Sequence, residues 1–236
     1  MKSETVNQQE FLYVILASLI LLIVYSVAYI AINRYAQKHS DKSNELLIYL
    51  QRLTGVISFG VVPVIVVQQV LDTDIRDYGY LLSKPYSSLI WLGILSAIVI
   101  PLNLVQAKKD TNLAAYPQIR ASEWNIRVFS LSALSWTAYL LAYEFFFRGF
   151  LFYAALRFTG LYWAIGINVV LYALAHVPKG RFETIGAIPL GILLCIVTYF
   201  TGSFWVAFGV HVVMALSNEW TSLFYHRKLK EKPQTL

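Results

Sequence analysis

The chain has 236 residues, 58% of them hydrophobic and 14% charged, with a mean hydropathy of +0.58. Soluble domains carry about a quarter charged residues, so this composition excludes an ordinary soluble domain and indicates an all-α, polytopic membrane bundle. The net charge of +6 lies between apolar runs and forms no basic face with interleaved aromatics, which argues against nucleic acid as a partner, and the single Cys195 excludes an intrachain disulfide.

A helix needs about 20 apolar residues to cross the hydrocarbon core. Residues 11–33 form the first such run, too long for a signal-peptide core and without a small-residue cleavage site. Residues 53–71 and 86–107 follow, with Pro63 and Pro101 as kink positions. Between the third and fourth spans, residues 108–127 read as an amphipathic surface segment, with Tyr116 and Trp124 suited to the membrane interface. A fourth run starts near Val128 and continues to about Leu156. Three more cover about 158–177, 184–201 and 203–224, the last two parted by Gly202. The expectation is seven transmembrane helices, eight at most, in a single membrane domain. Its N-terminal spans occupy 11–107.

Lysine and arginine bias sets orientation. Fourteen basic residues fall on one side of these spans: Arg34, Lys38, Lys42, Arg52, Lys108, Lys109, Arg120, Arg127, Lys179, Arg181, Arg227, Lys228, Lys230 and Lys232. Four (Lys2, Arg76, Lys84 and Arg157) fall on the other. This predicts a multi-pass protein of the cytoplasmic membrane with its N-terminus outside and its C-terminus inside. The tail from Arg227 reads as a basic flank holding that end in the cytoplasm.

The fourth run carries two charges. Glu144 and Arg148 lie four residues apart with the glutamate first, which favours an ion pair on one helix. Each charge at the bilayer centre costs at least about 2.5–3.5 kcal/mol, so such residues are usually paired and functional. His176 ends the fifth run and His211 lies inside the seventh. Asn218 shares the face of His211 two turns on, and Glu219 lies close to it. Glu183 follows His176 by seven residues, with Pro178 and Gly180 between them. These groups cluster in the later spans and are absent from the first three. Two histidines and carboxylates from several helices can polarise a water directly or through a metal. Phe145–Phe147 and Phe150 read as packing or lipid-facing surface, and Tyr172 as a packing neighbour of His176.

In order and spacing these residues resemble the CAAX protease and bacteriocin-processing (CPBP, Abi) family of intramembrane proteases. The family pattern is Glu-Glu-x-x-x-Arg, then Phe-x-x-x-His, then His-x-x-x-Asn. This chain has Tyr143-Glu144-x-x-x-Arg148, Tyr172-x-x-x-His176 and His211-x-x-x-Ala215, with the stretch TGSFWVAFGVH leading into His211. The resemblance covers about residues 115–224 and implies a helical bundle with a cavity between the conserved helices. It also implies hydrolysis of a peptide bond, in a membrane-associated protein or peptide, by a water activated through glutamate and histidine. Carried over residue by residue, it makes Glu144, His176 and His211 the catalytic candidates, with Arg148, Glu183, Tyr143 and Asn218 in support. Because family members have been regarded as metalloenzymes, Glu144, His176 and His211 are also candidate ligands for a divalent metal such as zinc.

Two departures bear on activity. Tyr143 stands where the family has the glutamate that serves as base, and a phenol with a pKa near 10 is a poor base at neutral pH. Ala215 stands in place of the asparagine, and losing an oxyanion donor costs about 10²–10³ in rate. Glu183 is one substitute carboxylate; Glu144 itself, with Tyr143 or Asn218 as oxyanion donor, is another. The alternatives to a protease are a catalytically inactive relative acting as membrane scaffold or regulator, and a small carrier. Seven unequal spans without an inverted repeat count against the carrier. By length alone, His176 and His211 are expected at different depths.

Overall fold

The computed structural model describes residues 2–38, 44–121 and 123–231. Lys42 and Lys232, counted above on the basic side, lie outside them. Eight helices are present among the described residues, and no strand. α1 spans Lys2–Lys38 and α2 Glu45–Val70, two of whose turns are π-helical. α3 spans Pro85–Gln106, and the short α4 Asp110–Ala115. α5 runs Ile126–Thr159, α6 Leu161–His176, α7 Arg181–Thr201 and α8 Trp205–Glu231.

Among the described residues, six helices are long and apolar enough to cross a membrane: α1, α2, α3, α5, α6 with the turn after it, and α7. The seventh expected span is α8. Its 27 residues extend about 40 Å at 1.5 Å each, but His211, Asn218 and Glu219 dilute its apolar character. The count is therefore seven by length and six by apolarity. The chain is a multi-pass helical membrane protein, and large apolar side chains such as Leu89, Ile90 and Ile94 of α3 point outward, where lipid replaces protein as their neighbour.

α5 is the axis of the bundle. Its first half packs on α2 and α8, and its second half on α1 and α6, while α6 lies along α7 and α3 along α8. Every side chain from Ala142 to Phe152 is buried. The phenylalanines of 145–147 and Phe150 are thus interior packing, not lipid surface. Directly after Glu144 the helix widens into a π-helical stretch, Phe145–Leu151, of the kind found at functional sites. Gly149 lies within it because a Cβ there would come 2.9 Å from the Tyr78 carbonyl oxygen.

Connections gather at two ends. Asn44, residues 113–120, Glu183 and His226 meet at one end through direct hydrogen bonds. At the other, Glu10 accepts from the Tyr78 hydroxyl at 2.7 Å and pairs with Arg157. Lys84 there donates to the Phe200 carbonyl at 2.8 Å. The loops that charge bias assigned to one side do share one end of the bundle.

Two expectations are corrected at the basic end. Tyr116 is not an interface anchor: it packs against the main core, and its hydroxyl donates to Glu183 Oε1 at 3.2 Å. Burial and the Glu183 carboxylate push its phenol well above the usual range, so it remains a donor. Arg52, taken for a flanking cation, is buried, with its guanidinium 4.3 Å over the Trp136 ring.

Candidate active site

The widened turn of α5 brings Glu144 and Arg148 into the bundle, both with no exposed surface. Arg148 Nη1 lies 3.3 Å from Glu144 Oε2, and the guanidinium sits 4.0 Å over the Tyr172 ring of α6. The other carboxylate oxygen, Oε1, accepts from His211 Nδ1 of α8 at 2.6 Å. Glu144 thus ties two helices and is held from both sides.

His176 is oriented differently. Its Nδ1 lies 2.8 Å from the Tyr172 carbonyl oxygen. A carbonyl only accepts, so the network assigns the proton to Nδ1 and leaves the lone pair on Nε2. The Tyr143 hydroxyl shares that N–H at 3.3 Å. In His211 the Glu144 bond has the same effect. Neither Nε2 has a hydrogen-bond partner among the described residues.

Tyr143 fills the space between the two histidines. Its ring meets His176 edge-on at a centroid distance of 6.0 Å and His211 at 5.8 Å. Tyr139, Phe147, Tyr172 and Phe59 pack around it at 5.5, 4.7, 5.7 and 5.6 Å. The depth mismatch between the histidines is absorbed by this side chain, whose hydroxyl reaches one while its ring edge meets the other.

The remaining candidates lie elsewhere. Glu183 bonds Tyr116 and makes no hydrogen bond to either histidine. Asn218 Oδ1 is buried without a partner, and no hydrogen bond joins it to the site. Ala215 packs in the core and offers no donor. Among the described residues no three of His, Cys, Asp and Glu gather as a metal-holding group. The free Nε2 lone pairs are of the kind a metal takes, but Tyr143 packs between the two rings and no third such ligand joins them among the described residues, so the donor set does not fit a metal.

One supporting residue was overlooked in the sequence. Asn168 of α6, fully buried, donates to the Phe147 carbonyl at 2.5 Å and accepts from the Cys195 thiol at 3.2 Å. It therefore braces the π-helical stretch that carries Arg148. The signal was present: Asn168, Tyr172 and His176 recur every four residues, on one face of an otherwise apolar helix.

Residues 118–217 match the family model described as type II CAAX prenyl endopeptidase Rce1-like. No curated protein and no solved structure matches the chain. The family's activity is proteolysis of CAAX-type substrates, and the matched stretch contains Glu144, Arg148, His176 and His211. That match, and the ordered motifs that surround Tyr143, support an assignment of residues 118–217 to the CAAX protease (CPBP) family.

Proposed function

We propose that this chain is a catalytically silent member of the CAAX protease family, acting as a membrane scaffold or regulator of a membrane-associated peptide. It lies in the cytoplasmic membrane, N-terminus outside. One observation carries the reading: the residue at the base's position, Tyr143, packs between His176 and His211, in the space that a carboxylate and its water need. General-base catalysis contributes about 10²–10⁴-fold, and an oxyanion donor about 10²–10³-fold. Losing both, taken as independent, lowers a typical turnover of about 10 s⁻¹ to roughly 10⁻³–10⁻⁶ s⁻¹. On that scale the chain binds without cutting.

The test compares the natural chain with Tyr143→Glu in lipid nanodiscs, using a fluorogenic prenylated C-terminal peptide. Cleavage by the variant alone, lost again in Tyr143→Glu/His176→Ala, supports the reading. Cleavage by the natural chain that is lost in His176→Ala sinks it.

A second reading has an observation of its own. Glu144 orients His211 through a 2.6 Å bond, leaving Nε2 of the imidazole as an acceptor, the arrangement of a carboxylate–histidine base. In that reading the chain is an endopeptidase, and Glu144→Gln abolishes cleavage by the natural chain.

A further inference from the structure

α2 and α5 both start at the basic end of the bundle. Between their first turns lies a half-open pocket of about 420 Å³, whose walls include Glu45, Tyr49, Glu123, Arg127, Val128 and Leu131. That volume falls within the range of small-ligand sites, about 300–1,000 Å³. Both helices are long and apolar enough to cross a membrane, so a pocket at their charged starts lies at headgroup depth. Trp124 agrees with that depth. It stands next to Glu123 and meets the Phe129 ring edge-on at 6.0 Å, and tryptophan is enriched at the membrane–water boundary.

The charges of the pocket are mixed: two carboxylates, Glu45 and Glu123, and one guanidinium, Arg127. Glu123 and Arg127 are exposed, and neither belongs to an ion pair among the described residues. The Tyr49 hydroxyl is buried without a hydrogen-bond partner; it can donate to an anion or accept from a cation. Past the charges the surface turns apolar. Val128 and Leu131 continue the wall along α5, and Leu46, Leu50 and Leu53 of α2 and Leu134 of α5 are exposed on the same two helices.

A ligand that answers all of this carries a cation, an anion and an apolar tail. Phosphatidylethanolamine has the three. Its ammonium offers three N–H donors to the carboxylates, its phosphate meets the guanidinium, and its acyl chains cover the exposed leucines. Phosphatidylglycerol has no cation and brings a negative charge to two carboxylates. The quaternary ammonium of phosphatidylcholine has no N–H to donate and is typically held by cages of aromatic rings, whereas Tyr49 is the single ring in this wall among the described residues.

We propose that the pocket between the starts of α2 and α5 binds the headgroup of phosphatidylethanolamine, its ammonium on Glu45 and Glu123 and its phosphate on Arg127. The bound lipid ties the start of α2 to the start of α5, and it does so whatever happens at Tyr143.

Native mass spectrometry tests this on the full chain, delipidated and given an equimolar mixture of dioleoyl phosphatidylethanolamine, phosphatidylcholine and phosphatidylglycerol. The expected result is one ethanolamine lipid retained about fivefold or more over each of the others, the scale of one exposed ion pair. Glu45→Gln/Glu123→Gln is expected to remove the preference over choline, and Arg127→Gln to lower retention of both zwitterionic lipids. Asp77→Asn, exposed at the opposite end of the bundle, should leave the preference unchanged. If the double variant unfolds earlier than the natural chain, Glu123→Gln alone, at an exposed position, is read in its place. Equal retention of the three lipids overturns the proposal, as does a preference for the glycerol lipid. So does an ethanolamine preference that survives loss of the carboxylates.

Discussion

Replacing Arg148 by methionine tests how the buried charges are tolerated. The substitution removes the 3.3 Å ion pair with Glu144 and the 4.0 Å contact with the Tyr172 ring, both without solvent. Breaking one side of a buried pair costs about 3–5 kcal/mol, because the remaining charge is left uncompensated. A desolvated cation–π contact is worth about 2 kcal/mol. Glu144 keeps its 2.6 Å bond from His211, which offsets part of the loss, so the expected net cost stays at about 3–5 kcal/mol. At about 2–4 °C per kcal/mol for a chain of this size, thermal unfolding in detergent moves down by roughly 6–20 °C. The double variant Glu144→Gln/Arg148→Met removes both charges and is expected to recover at least half of that shift, since neutral replacement of a buried pair is often close to neutral in stability. A single variant within 2 °C of the natural chain would mean that the buried pair contributes nothing of this size; so would a double variant less stable than the single.

Further outcomes follow from individual contacts. Asn168→Ala leaves the Phe147 carbonyl and the Cys195 thiol without their buried partner, for a loss of about 1–3 kcal/mol in the same unfolding measurement. Asn103→Ala removes bonds of 2.7 Å to the Met214 carbonyl and to Ser217 Oγ. It should loosen α3 from α8, seen as faster backbone hydrogen exchange in residues 85–106. Gly55→Ala places a Cβ 2.2 Å from Tyr139 Cε2 and should destabilise by about 1–3 kcal/mol through overpacking. Gly93→Ala meets nothing within 4 Å and should be neutral or stabilising by up to about 1 kcal/mol from helix propensity; the opposite order of the two would contradict the packing described.

The helical membrane fold was legible because crossing lipid demands long apolar runs, and those runs are continuous in the sequence. α8 was legible by length, although its polar residues make it the least apolar of the seven. The grouping of Glu144, Arg148, His176 and His211 followed from the cost of burying polar groups in lipid, which leaves them no common solution but one another. What the letters withheld was occupancy. Tyr143 could be named as a departure from the family pattern, but its wedge between two histidines depends on four aromatic neighbours from α2, α5 and α6. Glu183 and Tyr116 were both noted, yet their pairing required the fold of residues 116–120. That stretch reads in sequence as part of an amphipathic surface segment, because its mixed polar and apolar residues do not show what they pack against. Arg52 was misread for a related reason: a cation at the edge of an apolar run looks solvated until Trp136, Gln118 and Ser135 are seen around it.

If Tyr143 closes the catalytic position, the protein binds a CAAX-type peptide without cutting it. The most direct measurement is single-turnover hydrolysis of a prenylated C-terminal peptide by the purified natural chain, at enzyme in excess, beside His176→Ala. A closed site gives indistinguishable traces for the two. Cleavage by the natural chain that disappears in His176→Ala would contradict it and leave Glu144 and His211 as the base to be tested next.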